Sequence, residues 1–200
     1  PSTGKMGLAI ARAARARGAR VTMVLGPVGT VDRTGLEVVD AVSAEEMRDA
    51  VLSRLDQTDV LVATAAVSDW RPAHRADQKV KKDDPAAEGP LALSRTPDVL
   101  ALAAERARTL SRRPLIVGFA AETENVVENA TAKLLRKGLD LIVANDVSRP
   151  DAGFGVDTNS VVIVDRAGGR LELSGTKDAV AAGLWDRIAA LRSTPAAATP

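Results

Sequence analysis

The sequence predicts an α/β fold in which a parallel sheet carries helices on both faces, and three observations predict it. Short apolar runs of the buried-strand type recur at residues 20–25, 59–65, 115–121 and 139–144. Segments with helical periodicity or helix-end residues stand between them. Helices between consecutive buried strands imply right-handed crossovers, which leave the strands parallel and covered on both sides.

The elements follow in order. Residues 5–17 are rich in alanine and arginine and read as a helix closed by Gly18, ahead of a strand over 20–25. Residues 37–42 form a second strand. Ser43-Ala44-Glu45-Glu46 is a capping box, with serine and glutamate placed to satisfy each other's backbone amides, and starts a helix to about Leu55. Residues 59–65 are the third strand. Residues 70–90 are polar, hold three prolines and read as a flap, either a long ordered one or a partly mobile loop.

Residues 91–94 are a short extended piece. Thr96-Pro97-Asp98 opens the next helix, with threonine as N-cap and proline at the first helical position, and that helix runs to about Leu110. The fourth strand, over 115–121, precedes a helix over 124–137 ended by Gly138, and 139–144 form the fifth strand. Residues 160–164 and 170–173 flank Ala167-Gly168-Gly169, a hairpin signal; the hairpin extends the sheet or pairs with another subunit. A helix over 176–191 follows. The architecture is therefore Rossmann-like with a C-terminal β-hairpin extension, a single domain over 1–192, with 193–200 having the composition of a disordered tail. No strand precedes the glycine-bearing turn at 1–7, so the first strand of the domain reads as missing.

Composition excludes several functions. The 27 basic residues balance 26 acidic ones, so no global charge draws the chain to nucleic acid or to a membrane surface. No apolar run reaches the roughly 18 residues of a membrane span. With no cysteine, disulfides, thiolate zinc sites and a cysteine nucleophile are excluded on this chain, and a cytoplasmic address is expected. A single histidine, His74, rules out a histidine metal cluster within one subunit. Aromatic content of 2% leaves few stacking platforms for single-stranded nucleic acid.

The chemistry-bearing residues cluster where strands end. Small residues at Ala63, Thr64 and Ala65, then Asp69, close the third strand, where open α/β sheets bind ligands. Asp69 suits a sugar hydroxyl or a metal, or equally an Asx turn. Lys79, Lys81 and Lys82 in the flap suit phosphate, or a solvated charge run. Ser2-Thr3-Gly4-Lys5 is a helix cap or a phosphate site at a helix N-terminus. Lys133 and Lys137 share one helical face, which helix-dipole complementation also explains. Phe119 ends the fourth strand as a core ring or a ring over a ligand. Asn145 and Asp146 occupy the same rim, or form a strand-ending turn.

Ser2-Thr3-Gly4-Lys5-Met6-Gly7, Ala65-Ala66-Val67-Ser68-Asp69-Trp70-Arg71-Pro72, Lys79-Val80-Lys81-Lys82, Gly118-Phe119-Ala120-Ala121-Glu122-Thr123 and Ala144-Asn145-Asp146-Val147 occur in that order. Together they closely resemble phosphopantothenate-cysteine ligases, the C-terminal half of bifunctional bacterial coenzyme A biosynthesis proteins. The resemblance implies CTP-dependent ligation of 4'-phosphopantothenate with L-cysteine through an acyl-cytidylate, with Mg²⁺, in a homodimer. It implies that Ala63, Thr64, Ala65, Asp69, Pro97, Asp98, Val99, Leu100, Phe119, Lys133 and Lys137 bind nucleotide, with Asp98 also at the metal. It implies a catalytic Lys79 that also touches nucleotide, and a substrate phosphate on Ser2, Thr3 and Gly4. The asparagine that precedes the first motif in that family is not in this chain, and the decarboxylase domain is expected elsewhere in the full-length protein. Residues alone leave CTP versus ATP open. Two other readings stand beside it: a nucleotide-binding module without complete activity, and an NADPH-dependent Rossmann oxidoreductase, for which no GxGxxG follows a strand.

Overall fold

The computed structural model describes residues 3–74, 78, 81, 90–146 and 156–193. Ser2, Lys79, Lys82 and residues 194–200 therefore lie outside the described residues. Five helices and nine strands are described: α1 Lys5–Ala16, β1 Thr22–Leu25, β2 Glu37–Asp40, α2 Ala44–Leu52, β3 Val60–Ala63, β4 Trp70–Pro72, β5 Leu93–Arg95, α3 Val99–Ala107, β6 Leu115–Glu122, α4 Val126–Lys137, β7 Leu141–Asp146, β8 Thr158–Asp165, β9 Arg170–Thr176 and α5 Lys177–Ser193.

The main sheet has the order β3-β6-β7-β8-β9. β3, β6 and β7 are parallel, and β8 and β9 continue the sheet antiparallel. The C-terminal hairpin thus extends the sheet. β1 and β2 form a separate parallel pair, and β4, at the start of the segment expected to be irregular, pairs antiparallel with β5, which falls on the short extended piece expected at 91–94.

Alternation along the strands divides the core into two layers. Ile116, Ala120, Ile142, Ala144 and Val164 pack with Ala103, Ala104 and Ala107 of α3 and Ala130 and Leu134 of α4. Val117, Leu141, Val143, Val161 and Ile163 point the other way, against Ile10 of α1 and Leu184 and Ile188 of α5. Burying each large aliphatic side chain contributes about 1.5–3 kcal/mol, so the two layers hold the helices on opposite faces. Trp185 adds direction, its Nε1 donating to the Ile10 carbonyl at 2.9 Å and tying α5 to α1. Gly118 lets α3 close on β6: a Cβ there would lie 2.7 Å from Leu139 Cδ1 and 2.9 Å from Leu100 Cδ2.

Helix ends follow local chemistry. The α2 capping box forms, with Glu46 N donating to Ser43 Oγ at 3.1 Å and the Glu46 carboxylate accepting from Ser43 N at 3.4 Å and also from Val42 N at 2.7 Å. Gly138 closes α4 at φ 70°, a conformation open to glycine. The start of α3 differs from expectation: Asp98 is the N-cap, its Oδ1 accepting from Ala101 N at 3.1 Å. A carboxylate two residues nearer the helix displaces Thr96 from that role.

Candidate functional site at the carboxyl edge of the parallel strands

β3, β6 and β7 end on one edge of the sheet, and most of the described candidates gather there from three directions. Residues 97–100 arrive at the head of α3, and the Asp69 carbonyl accepts from Thr96 N at 3.0 Å, which holds the loop after β3 beside that helix entry. Ala63 pairs with Gly118, the residue against which Leu100 packs. Thr64 faces α1: a Cβ on Gly7 would lie 2.8 Å from Thr64 Oγ1, so the first turn of α1, headed by Thr3 and Gly4, sits against the end of β3. Gly4 takes φ 72° as the N-cap of α1.

The charged part lies on the α3–α4 face. Lys137 Nζ is 2.7 Å from Asp98 Oδ2, the lysine side chain 18% exposed and the aspartate 47%. Burial raises the Asp98 carboxyl, but the Lys137 ammonium and the Ala101 amide outweigh it and hold it below the ordinary carboxylate range. Lys133, half-buried one turn earlier, is pushed below the usual lysine range, first by burial and then by the Lys137 charge. Among the described residues, no ion pair to Lys133 is formed. Glu122, at the end of β6, is the principal acidic group acting on it.

Phe119 is on the other side. It packs in the layer under α1 and α5, in register with Val143, so it does not sit with Lys133 and Lys137. Two polar groups that sequence reasoning assigned otherwise stand out at the edge. Thr96 Oγ1, freed from capping, and Asn145 Oδ1, in a strand that runs on through Asp146, are buried without a partner among the described residues. An unpaired buried polar group costs about 1–3 kcal/mol, and such groups mark places completed by a ligand or water. The signal for Asn145 was visible as Asn-Asp at a strand end; that for Thr96 was not, because Thr-Pro-Asp fits a cap equally well at two positions.

A metal at Asp98 does not fit these residues. Its carboxylate is engaged by an ammonium and a helix amide, and among the described residues no group of three or more His, Cys, Asp or Glu converges to hold a cation.

Comparison with known proteins places the chain. The description "DNA/pantothenate metabolism flavoprotein C-terminal domain" matches residues 1–191. The coenzyme A biosynthesis bifunctional protein CoaBC of Bacillus subtilis is 45% identical over 173 residues, covering 86% of this chain and 41% of that protein. A cysteine/cysteine sulfinic acid decarboxylase from an unknown prokaryotic organism is 40% identical over 193 residues, 95% of this chain and 52% of that protein. The chain thus spans about half the length or less of these relatives. The crystal structure of the C-terminal domain of CoaBC superposes with a TM-score of 0.76 at 36% identity, covering 96% of this chain and 85% of that one. A flavoprotein from Streptococcus pneumoniae shares the fold, with a TM-score of 0.75 at 20% identity.

These findings correct the expectation drawn from the resemblance. The matching names are a flavoprotein C-terminal domain, a bifunctional coenzyme A biosynthesis protein and a decarboxylase, and none carries a ligase, CTP or magnesium. Phosphopantothenate-cysteine ligase as the family, CTP-dependent ligation as the reaction and Mg²⁺ with CTP as the requirement are withdrawn on that ground. Coenzyme A biosynthesis stands in the name of the Bacillus subtilis relative.

The flavin implied by the word flavoprotein does not fit the described residues either. An isoalloxazine ring needs a flat apolar slot, and the edge offers small residues, charges and Phe119, a ring already packed into the core. Trp185 is tied to α1, and Trp70 lies under Arg95, 5.3 Å from ring centroid to guanidinium. No step is derived through a flavin. With nearly its whole length matched, the chain belongs to the DNA/pantothenate metabolism flavoprotein C-terminal domain family.

Proposed function

We propose that this chain is the ligand-holding α/β part of a coenzyme A biosynthesis protein, and that it binds a phosphorylated small molecule across the carboxyl edge of β3, β6 and β7. The observation that carries this reading is Lys133, a half-buried ammonium with a depressed pKa beside a second lysine. A phosphate dianion supplies a paired counter-charge to Lys133, which forms no ion pair among the described residues, and the amides at the head of α3 face the same place. Asn145 and Thr96 then gain partners from the non-phosphate part of the ligand, and Thr64, Thr3 and Gly4 border it on the α1 side. Ala65, Asp69, Pro97, Val99 and Leu100 shape the remaining wall.

Calorimetric titration with 4'-phosphopantothenate and with unphosphorylated pantothenate tests this. The phosphorylated compound is expected to bind at least about tenfold more tightly, since a charge-assisted hydrogen bond contributes about 1.5–3 kcal/mol. Equal affinity for the two overturns the proposal. Visible flavin absorbance retained by the purified chain after gel filtration with FMN would contradict the fit argument made above.

We also propose that two copies associate through the β4–β5 ribbon. Leu91, Leu93 and Trp70 are 70%, 52% and 51% exposed there, on an isolated pair of strands that is marginal alone. Sedimentation should show a dimer that Leu93→Lys converts to monomer. A monomer at all concentrations refutes it.

A further inference from the structure

The opposite edge of the sheet holds a second concentration of charge. Asp59 before β3, the head of β6, Asp140 before β7, the β8–β9 turn and the end of α5 surround a cavity of about 480 Å³. Arg112 and Arg192, from distant parts of the chain, both reach Asp59, the second at 3.4 Å. Arg113 Nη2 donates to both Asp140 oxygens at 2.8 and 3.0 Å, and Asp140 also accepts from Ile116 N at 2.8 Å. Arg187 pairs with Asp165, whose other oxygen accepts from Ala167 and Gly169 amides at 2.8 and 2.9 Å. Arg166 donates to the Leu139 carbonyl.

Among the described residues four guanidinium groups therefore meet three carboxylates, two of which also serve backbone amides, and a fifth, Arg166, has a backbone carbonyl as its partner. Arg108 lies nearby, outside the cavity lining: a Cβ on Gly138 would lie 2.9 Å from Arg108 Nη2 and 3.4 Å from Arg166 Nη2. The carboxyl ends of α3, α4 and α5 point to this edge and attract cations, worth about 0.3–1 kcal/mol apiece. That attraction accounts for a basic group at each helix end. It does not account for Arg112 and Arg192 converging on one carboxylate.

We propose that this cleft is a second binding site, for a compact phosphate-bearing polyanion of the diphosphate or triphosphate class. Guanidinium groups bind phosphate oxygens in pairs, and Arg112, Arg192 and Arg166 border the cavity from different elements. The anion offsets the excess of guanidinium over carboxylate groups among the described residues and bridges α5 to the loop before β6. Lys137 closes α4 beside Gly138, but its ammonium is taken by Asp98 at 2.7 Å.

The test is calorimetric titration of inorganic pyrophosphate at fixed ionic strength into a Lys133→Gln/Lys137→Gln protein, in which the other edge has lost its cations. One saturable equivalent is expected, weakened at least about tenfold by adding Arg192→Gln, which leaves Arg112 on Asp59 and so preserves the fold. Arg112→Gln is the second variant, and melting curves confirm that each is folded. Absence of saturable binding, heat that sulfate reproduces at equal ionic strength, or full affinity in both folded arginine variants overturns the proposal.

Discussion

Replacing Gly118 by alanine probes how α3 is brought to the site. Gly118 lies in the middle of β6, paired with Ala63 on one side and Ile142 on the other. The added methyl would stand 2.7 Å from Leu139 Cδ1 and 2.9 Å from Leu100 Cδ2, about 1 Å inside a normal carbon–carbon contact. Leu139 is fully buried and has nowhere to swing, so relief must come from Leu100 and the first turn of α3 moving outward. Overpacking of this kind costs about 1–3 kcal/mol, offset by about 0.4–1 kcal/mol from the lower entropy of the unfolded alanine chain. The net loss lowers Tm by about 2–4 °C for each kcal/mol in a chain of this size. Urea denaturation and thermal melting measure it, and adding Leu100→Ala should recover part of the loss because the two sites touch. The outward shift also draws Asp98 from Lys137, so affinity for 4'-phosphopantothenate should fall with stability. A Gly118→Ala protein as stable as the parent, or a cost unchanged by Leu100→Ala, refutes the packing argument.

The remaining predictions concern caps and charge. Ser43→Ala removes the capping-box acceptor of Glu46 N and should destabilise by about 1 kcal/mol in chemical denaturation, whereas Ser43→Gly should cost less. Asp98 carries a folded-state pKa below its unfolded value, so its contribution to stability is full above the unfolded pKa of about 3.9 and is lost as pH falls through the folded value. Lys137→Met should therefore flatten the fall in stability between about pH 5 and pH 2. An unchanged acid profile would show that the Asp98–Lys137 pair contributes nothing to it.

The parts of the fold that were legible in the sequence are those fixed by local chemistry. Apolar runs bounded by glycine and capping residues marked β6, β7 and α4 within one or two residues, the capping box marked the start of α2 though that helix ends three residues before Leu55, and Ala167-Gly168-Gly169 marked the β8–β9 turn. Pairing was harder to read, because ladders depend on neighbours distant in sequence. β1 and β2 stand apart from the main sheet, and β8 and β9 turn it antiparallel, though the hairpin signal left both outcomes open. At the site, the lysine pair on one helical face was readable from i, i+4 spacing. Helix-dipole complementation explained it equally well until Asp98 was found against Lys137. Phe119 stayed open between a core ring and a ring over a ligand because period-two alternation assigns it to one face of β6 only relative to a register that the sequence does not display, and it packs in the core layer under α1 and α5. Thr96 and Asn145 were missed as unpaired groups because satisfaction of a hydrogen bond is a property of the packed structure.

The central claim is that the carboxyl edge holds a phosphate through Lys133. The most direct measurement compares 4'-phosphopantothenate binding by the parent chain and by Lys133→Gln, a change of one charge at similar length, with melting curves to confirm folding. The account predicts a loss of about tenfold or more in affinity with pantothenate binding unaffected. Undiminished affinity for the phosphorylated compound would contradict it.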